Sequence, residues 1–207
     1  MGNNKAFFDQ KSSESPPEKA TFTKNRRKKI SPTYLENAGA YYLQRFAAST
    51  AQFHDVMARK IYLSCQDHPD QDSAECLKLL TELIEKFTRL GYLNDRSYTE
   101  NLYHTLLARG YSLQKIRINL RAKQCPPEMI ESVISENAPP EDHEFQAALK
   151  LAKRKKLGPY GIWPDDKMEK RKLYQKQLAV FARQNFSYKI ATTILEMDSS
   201  DTEFIAM

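Results

Sequence analysis

Apolar residues recur along most of this chain at intervals of three and four, the period of an α-helix with one buried face. Ser31-Pro32 supplies a helix cap and a first-turn proline, and Leu35, Ala38, Tyr42 and Phe46 follow at helical spacing. Ser49 or Thr50 opens a second helix carrying Phe53, Val56, Met57 and Ile61. An acidic stretch with Asp67, Pro69, Asp70 and Asp72 reads as a loop. The third helix has the clearest stripe, Leu77, Leu80, Ile84 and Phe87, flanked by Leu83 and Leu90 and stopped by Gly91. Asn94-Asp95 starts a fourth, with Tyr98, Leu102 and Leu106, which ends at Gly110. Ser112 caps a fifth with Leu113, Ile116 and Leu120 inward. Pro126-Pro127 begins a sixth with Met129, Ile130, Val133 and Ile134. After Pro139-Pro140 a seventh carries Phe145, Ala148, Leu149 and Ala152. Asp165 or Asp166 caps an eighth with Tyr174, Leu178 and Phe181, and Ser187 a ninth with Ile190, Ile194 and Met197.

The pattern therefore predicts an all-α chain. With 6 glycines in 207 residues, neither the turns of a β-rich fold nor a glycine-rich dinucleotide loop is provided for. Hydrophobic residues are 41% of the chain, which disfavours one large compact core. Residues 1–30 lack apolar periodicity and read as a disordered basic tail ending in Lys24, Arg26, Arg27, Lys28 and Lys29, a solvated run that could also touch nucleic acid. Residues 198–207 read as an acidic, frayed end.

Three similar corners punctuate the helices. Arg109-Gly110-Tyr111-Ser112 with Ile116 pairs an aromatic with a Ser cap, Arg183 with Phe186-Ser187 and Ile190 does the same, and Arg45-Phe46 with Ser49-Thr50 and Phe53 is a fainter version. They divide the chain into triple-helix units at 31–91, 92–138 and 139–197. Each is too small to bury a sufficient core alone, so the expectation is stacking into an elongated, curved body with a long concave surface.

Gly91-Tyr92-Leu93-Asn94-Asp95, then Tyr98 and Leu102, then Arg109-Gly110-Tyr111-Ser112, then Ile116, Leu120, Arg121 and Lys123, resembles the central signature of the RecX family, and Arg183 with Phe186-Ser187 its C-terminal echo. The likeness covers roughly 33–197. Ala47 and Ala48 stand where the family tends to have basic residues. The tail, the acidic loop near residue 70 and the loop 158–164 look like additions. The resemblance implies three tandem three-helix repeats and a bacterial cytoplasmic protein. Its partner would be the RecA filament on single-stranded DNA, in whose groove it would lodge, inhibiting ATPase, strand exchange and extension without catalytic residues of its own.

The net charge of +6 implies a weak attraction to polyanions. Two groups of cations stand out. Lys115, Arg117, Arg121 and Lys123 lie in a stretch, 109–123, free of acidic residues. Arg117 and Arg121, at i and i+4, share a flank where an anion would relieve their repulsion, although late cations also suit a helix dipole. Lys150, Lys153, Arg154, Lys155 and Lys156 are denser than capping needs. These nine residues are the candidate filament or DNA contacts. Lys170, Arg171 and Lys172, interrupted by Asp165, Asp166 and Glu169, read as a solvated face. Tyr42, Tyr98 and Tyr174 fall on apolar stripes and read as core, and packing is also preferred for Trp163.

Nothing in the pattern indicates catalysis. His54, His68, His104 and His143 are dispersed, and no nucleophile elbow, phosphate loop or paired carboxylates stand out. Cys65, Cys76 and Cys125 form neither a disulfide framework nor a metal-site spacing. No membrane span, signal core, cofactor or metal is expected, and a monomer is. Two other functions remain open: a helical nucleic-acid-binding module, and a repeat scaffold acting without RecA.

Overall fold

The computed structural model describes residues 26–198. Lys24 and the acidic end beyond Asp198 lie outside the described residues. Nine α-helices are described: α1 (Pro32–Arg45), α2 (Thr50–Asp67), α3 (Ser73–Arg89), α4 (Asp95–Ala108), α5 (Leu113–Ala122), α6 (Pro127–Glu136), α7 (His143–Lys155), α8 (Lys167–Arg183) and α9 (Tyr188–Leu195). A single 3₁₀ turn, Gly158–Tyr160, lies between α7 and α8, and no strand occurs among the described residues.

The caps explain the boundaries. The side chains of Ser31, Ser49, Asp72, Asn94, Ser112, Asp166 and Ser187 each accept from a backbone N–H in the first turn of the helix that follows, satisfying donors that have no intrahelical partner. The sharp corners share one C-terminal device. Gly91, Gly110, Gln124 and Asn185 take left-handed backbone, and the amides of Tyr92, Tyr111, Cys125 and Phe186 return to the carbonyls of Phe87, Leu106, Leu120 and Phe181. This is the Schellman arrangement, and it drops an apolar residue onto the core just before the next cap.

Three separate cores follow, one per triplet. The first joins Leu35, Phe53, Met57, Ile61, Leu80, Leu83 and Phe87. The second joins Tyr103, Leu106, Ile116, Leu120, Ile130 and Val133. The third joins Ala148, Ala152, Phe181, Phe186, Ala191 and Ile194. The closest helix pairings (α2 on α3, α4 on α6, α7 and α8 on α9) lie inside triplets. Each unit thus buries its own face to a larger extent than the stacking argument supposes.

Several stripes shift by one position. Gly39 is buried in α1, while Phe46 is its C-terminal cap and 52% exposed. In α4 the core line is Thr99, Tyr103 and Leu106, whereas Tyr98 and Leu102 are half-buried. Leu77, Leu90 and Val56 are exposed at the edges of their stripes. Tyr42, Tyr98 and Tyr174 pack against their cores, as their spacing predicts.

Two further corrections concern the ends and the repeat. The last five residues of the expected tail, 26–30, are docked. Arg27 donates from its backbone N–H (3.0 Å) and guanidinium (2.9 Å) to Asp67, and Lys29 pairs with Asp70. Ser64 Oγ donates to the Lys28 carbonyl (2.8 Å), while Gln71 exchanges hydrogen bonds of 2.9 and 2.8 Å with the backbone of Ile30, which is buried. Thus the acidic loop and the tail, two apparent additions to the family pattern, hold each other. Secondly, Ser112 and Ser187 are not equivalent: Ser112 caps the second helix of its triplet, as Ser49 does, and Ser187 the third. An aromatic followed by a Ser cap therefore marks a tight helix corner at two different places in the repeat.

Candidate nucleic-acid and filament interface

The triplets meet through a repeated junction. Ser49 Oγ donates to the Lys123 carbonyl (2.8 Å), and Ser112 Oγ donates to the Gln184 carbonyl (2.8 Å). In each case the N-cap of a second helix binds the C-cap carbonyl of the next triplet's second helix. Beside it, the first helical amide is taken by a carboxylate of the next triplet: Thr50 N–H by Asp95 Oδ1 (2.6 Å) and Leu113 N–H by Glu144 Oε1 (2.6 Å). An anion at a helix N-terminus also complements its dipole. The second junction, through Glu144, ties the cation-bearing helices α5 and α7 to one another.

The first cation group divides. Arg117 makes three hydrogen bonds of 3.1, 3.2 and 3.1 Å to the Glu131 carboxylate, so its charge is spent tying α5 to α6. Lys115 is half-buried behind the Ser112 cap. Arg121 and Lys123 are exposed and have no side-chain ion pair among the described residues, while the Lys123 carbonyl serves the first junction. The expected pairing of Arg117 with Arg121 around one anion is therefore not built.

The second group stays free. Lys150, Lys153, Arg154, Lys155 and Lys156 are all exposed and no ion pair ties them among the described residues. Lys156 ends α7 in left-handed backbone (φ 54°). The alkyl stem of Lys150 passes over Gly110, whose added Cβ would lie 3.4 Å from Lys150 Cδ, and Arg154 borders Gly110, Tyr111, Gln184 and Phe186. Lys150 and Arg154 thus frame the junction of the second and third triplets, next to exposed Arg109. Arg109 lies outside the nine candidates; its sole signal in the sequence is its place in the corner motif.

A third locus departs from expectation. Lys170 and Arg171 do not merely face solvent. With Lys167 they line an open cleft of about 540 Å³ whose other walls include Trp163, Tyr174 and Met197. Trp163 is held by its Nε1–H on the Gly158 carbonyl (3.0 Å), and Lys170 Nζ lies 5.8 Å from its ring centroid. Tyr174 OH donates to Glu196 Oε1 (3.0 Å), and burial together with that carboxylate pushes the phenol pKa up to about 12. The spacing i, i+3, i+4 of 167, 170 and 171 is the sequence signal for this shared face.

Among the described residues no group of His, Cys, Asp or Glu is disposed to hold a metal ion, and no helix is long and apolar enough to cross a membrane. The cysteines are free, Cys76 and Cys125 buried, and burial raises the pKa of both thiols.

Tandem three-helix units joined by recurring Ser–carbonyl and acid–amide contacts, with exposed cations densest on the third, define a helical-repeat protein. No family model matches the chain. It is 36% identical over 181 residues to the regulatory protein RecX of Myxococcus xanthus (strain DK1622), spanning 87% of this chain and 94% of that one. It is 27% identical over 176 residues to the regulatory protein RecX of Agrobacterium fabrum, across 84% and 88%. The crystal structure of RecX from Lactobacillus salivarius has a similar fold, with a TM-score of 0.50 and 22% identity over 80% of this chain and 94% of that one. The chain belongs to the RecX family of regulatory proteins.

Proposed function

We propose that this protein binds the RecA–single-stranded DNA filament and inhibits its ATPase, strand exchange and extension. The observation that carries the reading is kinship with a regulatory protein RecX over 94% of that protein's length. The geometry supports it. Among the described residues, free cations stand at more than one place, Arg121 and Lys123 on the second triplet and Lys150, Lys153, Arg154, Lys155 and Lys156 on the third, which suits an extended polyanion. Lys150 and Arg154 at the second junction, with Lys153, Lys155, Lys156, Arg121 and Lys123, are the contacts we assign to the filament or its DNA. The protein acts by binding and not by catalysis, as a monomer in the bacterial cytoplasm, without cofactor or metal.

The test is RecA's DNA-dependent ATP hydrolysis with increasing amounts of the purified chain. Inhibition that weakens with salt, and that Lys150→Glu with Arg154→Glu abolishes, is expected. Hydrolysis and strand exchange left untouched at every salt concentration would overturn the reading. Tight binding to DNA alone with no effect on RecA would favour a nucleic-acid module, and neither activity a scaffold.

A further inference from the structure

In the first two triplets the N-terminus of the second helix is covered by the next triplet, through Asp95 on Thr50 and Glu144 on Leu113. The corresponding helix of the third triplet, α8, begins at Lys167, and no further triplet follows among the described residues. The cleft of about 540 Å³ lies at this end, and its size falls within the range of small-ligand sites.

Its chemistry is unlike that of the two junctions. Where they offer Thr50 and Leu113, this end offers two aromatic rings, Trp163 and Tyr174, 6.3 Å apart between centroids and inclined by 34°. Lys167, Lys170 and Arg171, all exposed and without an ion pair among the described residues, stand beside them. The indole N–H is already committed to the Gly158 carbonyl, and the Gly158 amide in turn donates to the buried Gln177 Oε1 (2.7 Å). What Trp163 has left to recognise with is its π face, over which Lys170 now sits. Two carboxylates share the rim: Glu196 is engaged by the Tyr174 hydroxyl, and Asp198 stands with the three cations, which outnumber the acids.

An aromatic surface flanked by three cations matches a planar base joined to a phosphate. An acidic peptide would use the cations and leave the rings without a role. We propose that this cleft binds a nucleotide of single-stranded nucleic acid, the base against Trp163 and Tyr174 and the phosphates on Lys167, Lys170 and Arg171. The inference rests on the filament reading for the source of the strand, and it adds a direct contact at the C-terminal end of the repeats.

Trp163 is the single tryptophan in the chain, so its emission reports on this cleft. The full chain is titrated with a thymidine oligonucleotide of about ten nucleotides, at several salt concentrations. Expected is saturable quenching, with log K falling by roughly 0.7 per engaged phosphate as log salt rises. Lys170→Glu with Arg171→Glu, both at exposed positions, weakens binding at least about tenfold. Trp163→Ala, followed by anisotropy of a labelled oligonucleotide, weakens it by about tenfold, the loss of one stacked base. Oligonucleotide binding with Trp163 emission unchanged, or full affinity in the Lys170/Arg171 variant, would overturn the proposal. So would equal competition by a poly-glutamate peptide of the same charge, or an emission change on removing residues 199–207 that matches the oligonucleotide's. The RecA assay separates the two readings. Wild-type inhibition without quenching sinks only the cleft, and quenching without inhibition sinks only the filament reading.

Discussion

The hydroxyl of Ser112 donates to the backbone carbonyl of Gln184, 72 residues further on, at 2.8 Å, while the same oxygen accepts the Lys115 amide at 3.1 Å. One buried atom therefore caps α5 and fastens the second triplet to the third. Ser49 does both for the first two triplets, bonding to Gln52 N–H and to the Lys123 carbonyl. Because the packing between triplets is thinner than that within them, such bonds weigh heavily in setting the angle between units.

Replacing Ser112 with Ala removes a cap and strands a carbonyl at the junction. Ser112 is 1% exposed, so water does not readily take over. A loss of about 1–2 kcal/mol is expected in urea unfolding. Amide exchange should quicken around both Gln184 and Lys115. A cycle with Glu144→Gln should be non-additive, since both side chains serve the start of α5. A stability unchanged within about 0.5 kcal/mol would show that the junction does not depend on this hydroxyl.

Gly39 gives the opposite of the usual helix rule. Glycine to alanine in a helix interior ordinarily stabilises by about 1 kcal/mol. Here the added Cβ would lie 2.9 Å from Phe53 Cζ and 3.1 Å from Phe87 Cε2, and both rings are fully buried, 5.8 Å apart between centroids. Overpacking of this kind costs about 1–3 kcal/mol. The clash outweighs the gain in propensity, so Gly39→Ala should lower the thermal midpoint. A raised midpoint would mean that the rings yield.

The helices were legible in the sequence because their signals are local. The caps Ser31, Asn94, Ser112 and Ser187 and the stops Gly91 and Gly110 lie within one turn of what they control. What escaped depends on residues far apart. Tyr103, not Tyr98, fills the second core, because its hydroxyl reaches the Asn137 carbonyl (2.7 Å) 34 residues away and so satisfies burial. Arg117 reads as available until α6 brings Glu131 alongside. The docking of residues 26–30 needs a partner loop about 40 residues on. The Trp163 cleft needs the 158–164 loop, the start of α8 and the end of α9 together. The cluster on α7 was legible as a charge run, and its siting beside Gly110 was not.

The clamp on residues 26–30 should open in acid. Hydrogen bonds from the Arg27 backbone and guanidinium hold the Asp67 carboxyl below its ordinary pKa, and Lys29 does the same for Asp70. A carboxylate whose folded pKa is depressed contributes stability above its unfolded value, about 3.9, and loses it as pH falls through the lower folded value. The clamp should therefore persist at neutral pH and release below about pH 4. The Arg27 and Ile30 amide signals in NMR should titrate there while those of Leu80 and Phe87 do not move. Asp67→Asn should release Arg27 at neutral pH, and an unshifted Arg27 signal in that variant would count against the clamp.

Charge reversal separates cations that are free from those that are spent. Arg117 already has the Glu131 carboxylate, and the pair is partly exposed, so Arg117→Ala should cost no more than about 1 kcal/mol of stability. It should change RecA inhibition little, since the positive field it projects is largely cancelled. Lys150 and Arg154 have no such partner and stand at the second junction. Their double reversal to Glu changes the local charge by four and should leave the fold intact, because both charged ends face solvent. If the strand or filament runs across this junction, the slope of log affinity against log salt should become shallower by roughly 0.7 for each phosphate that the variant no longer engages. Equal effects of the two substitutions would extend the binding surface from α7 onto α5 and α6, and no effect of either would move it away from both.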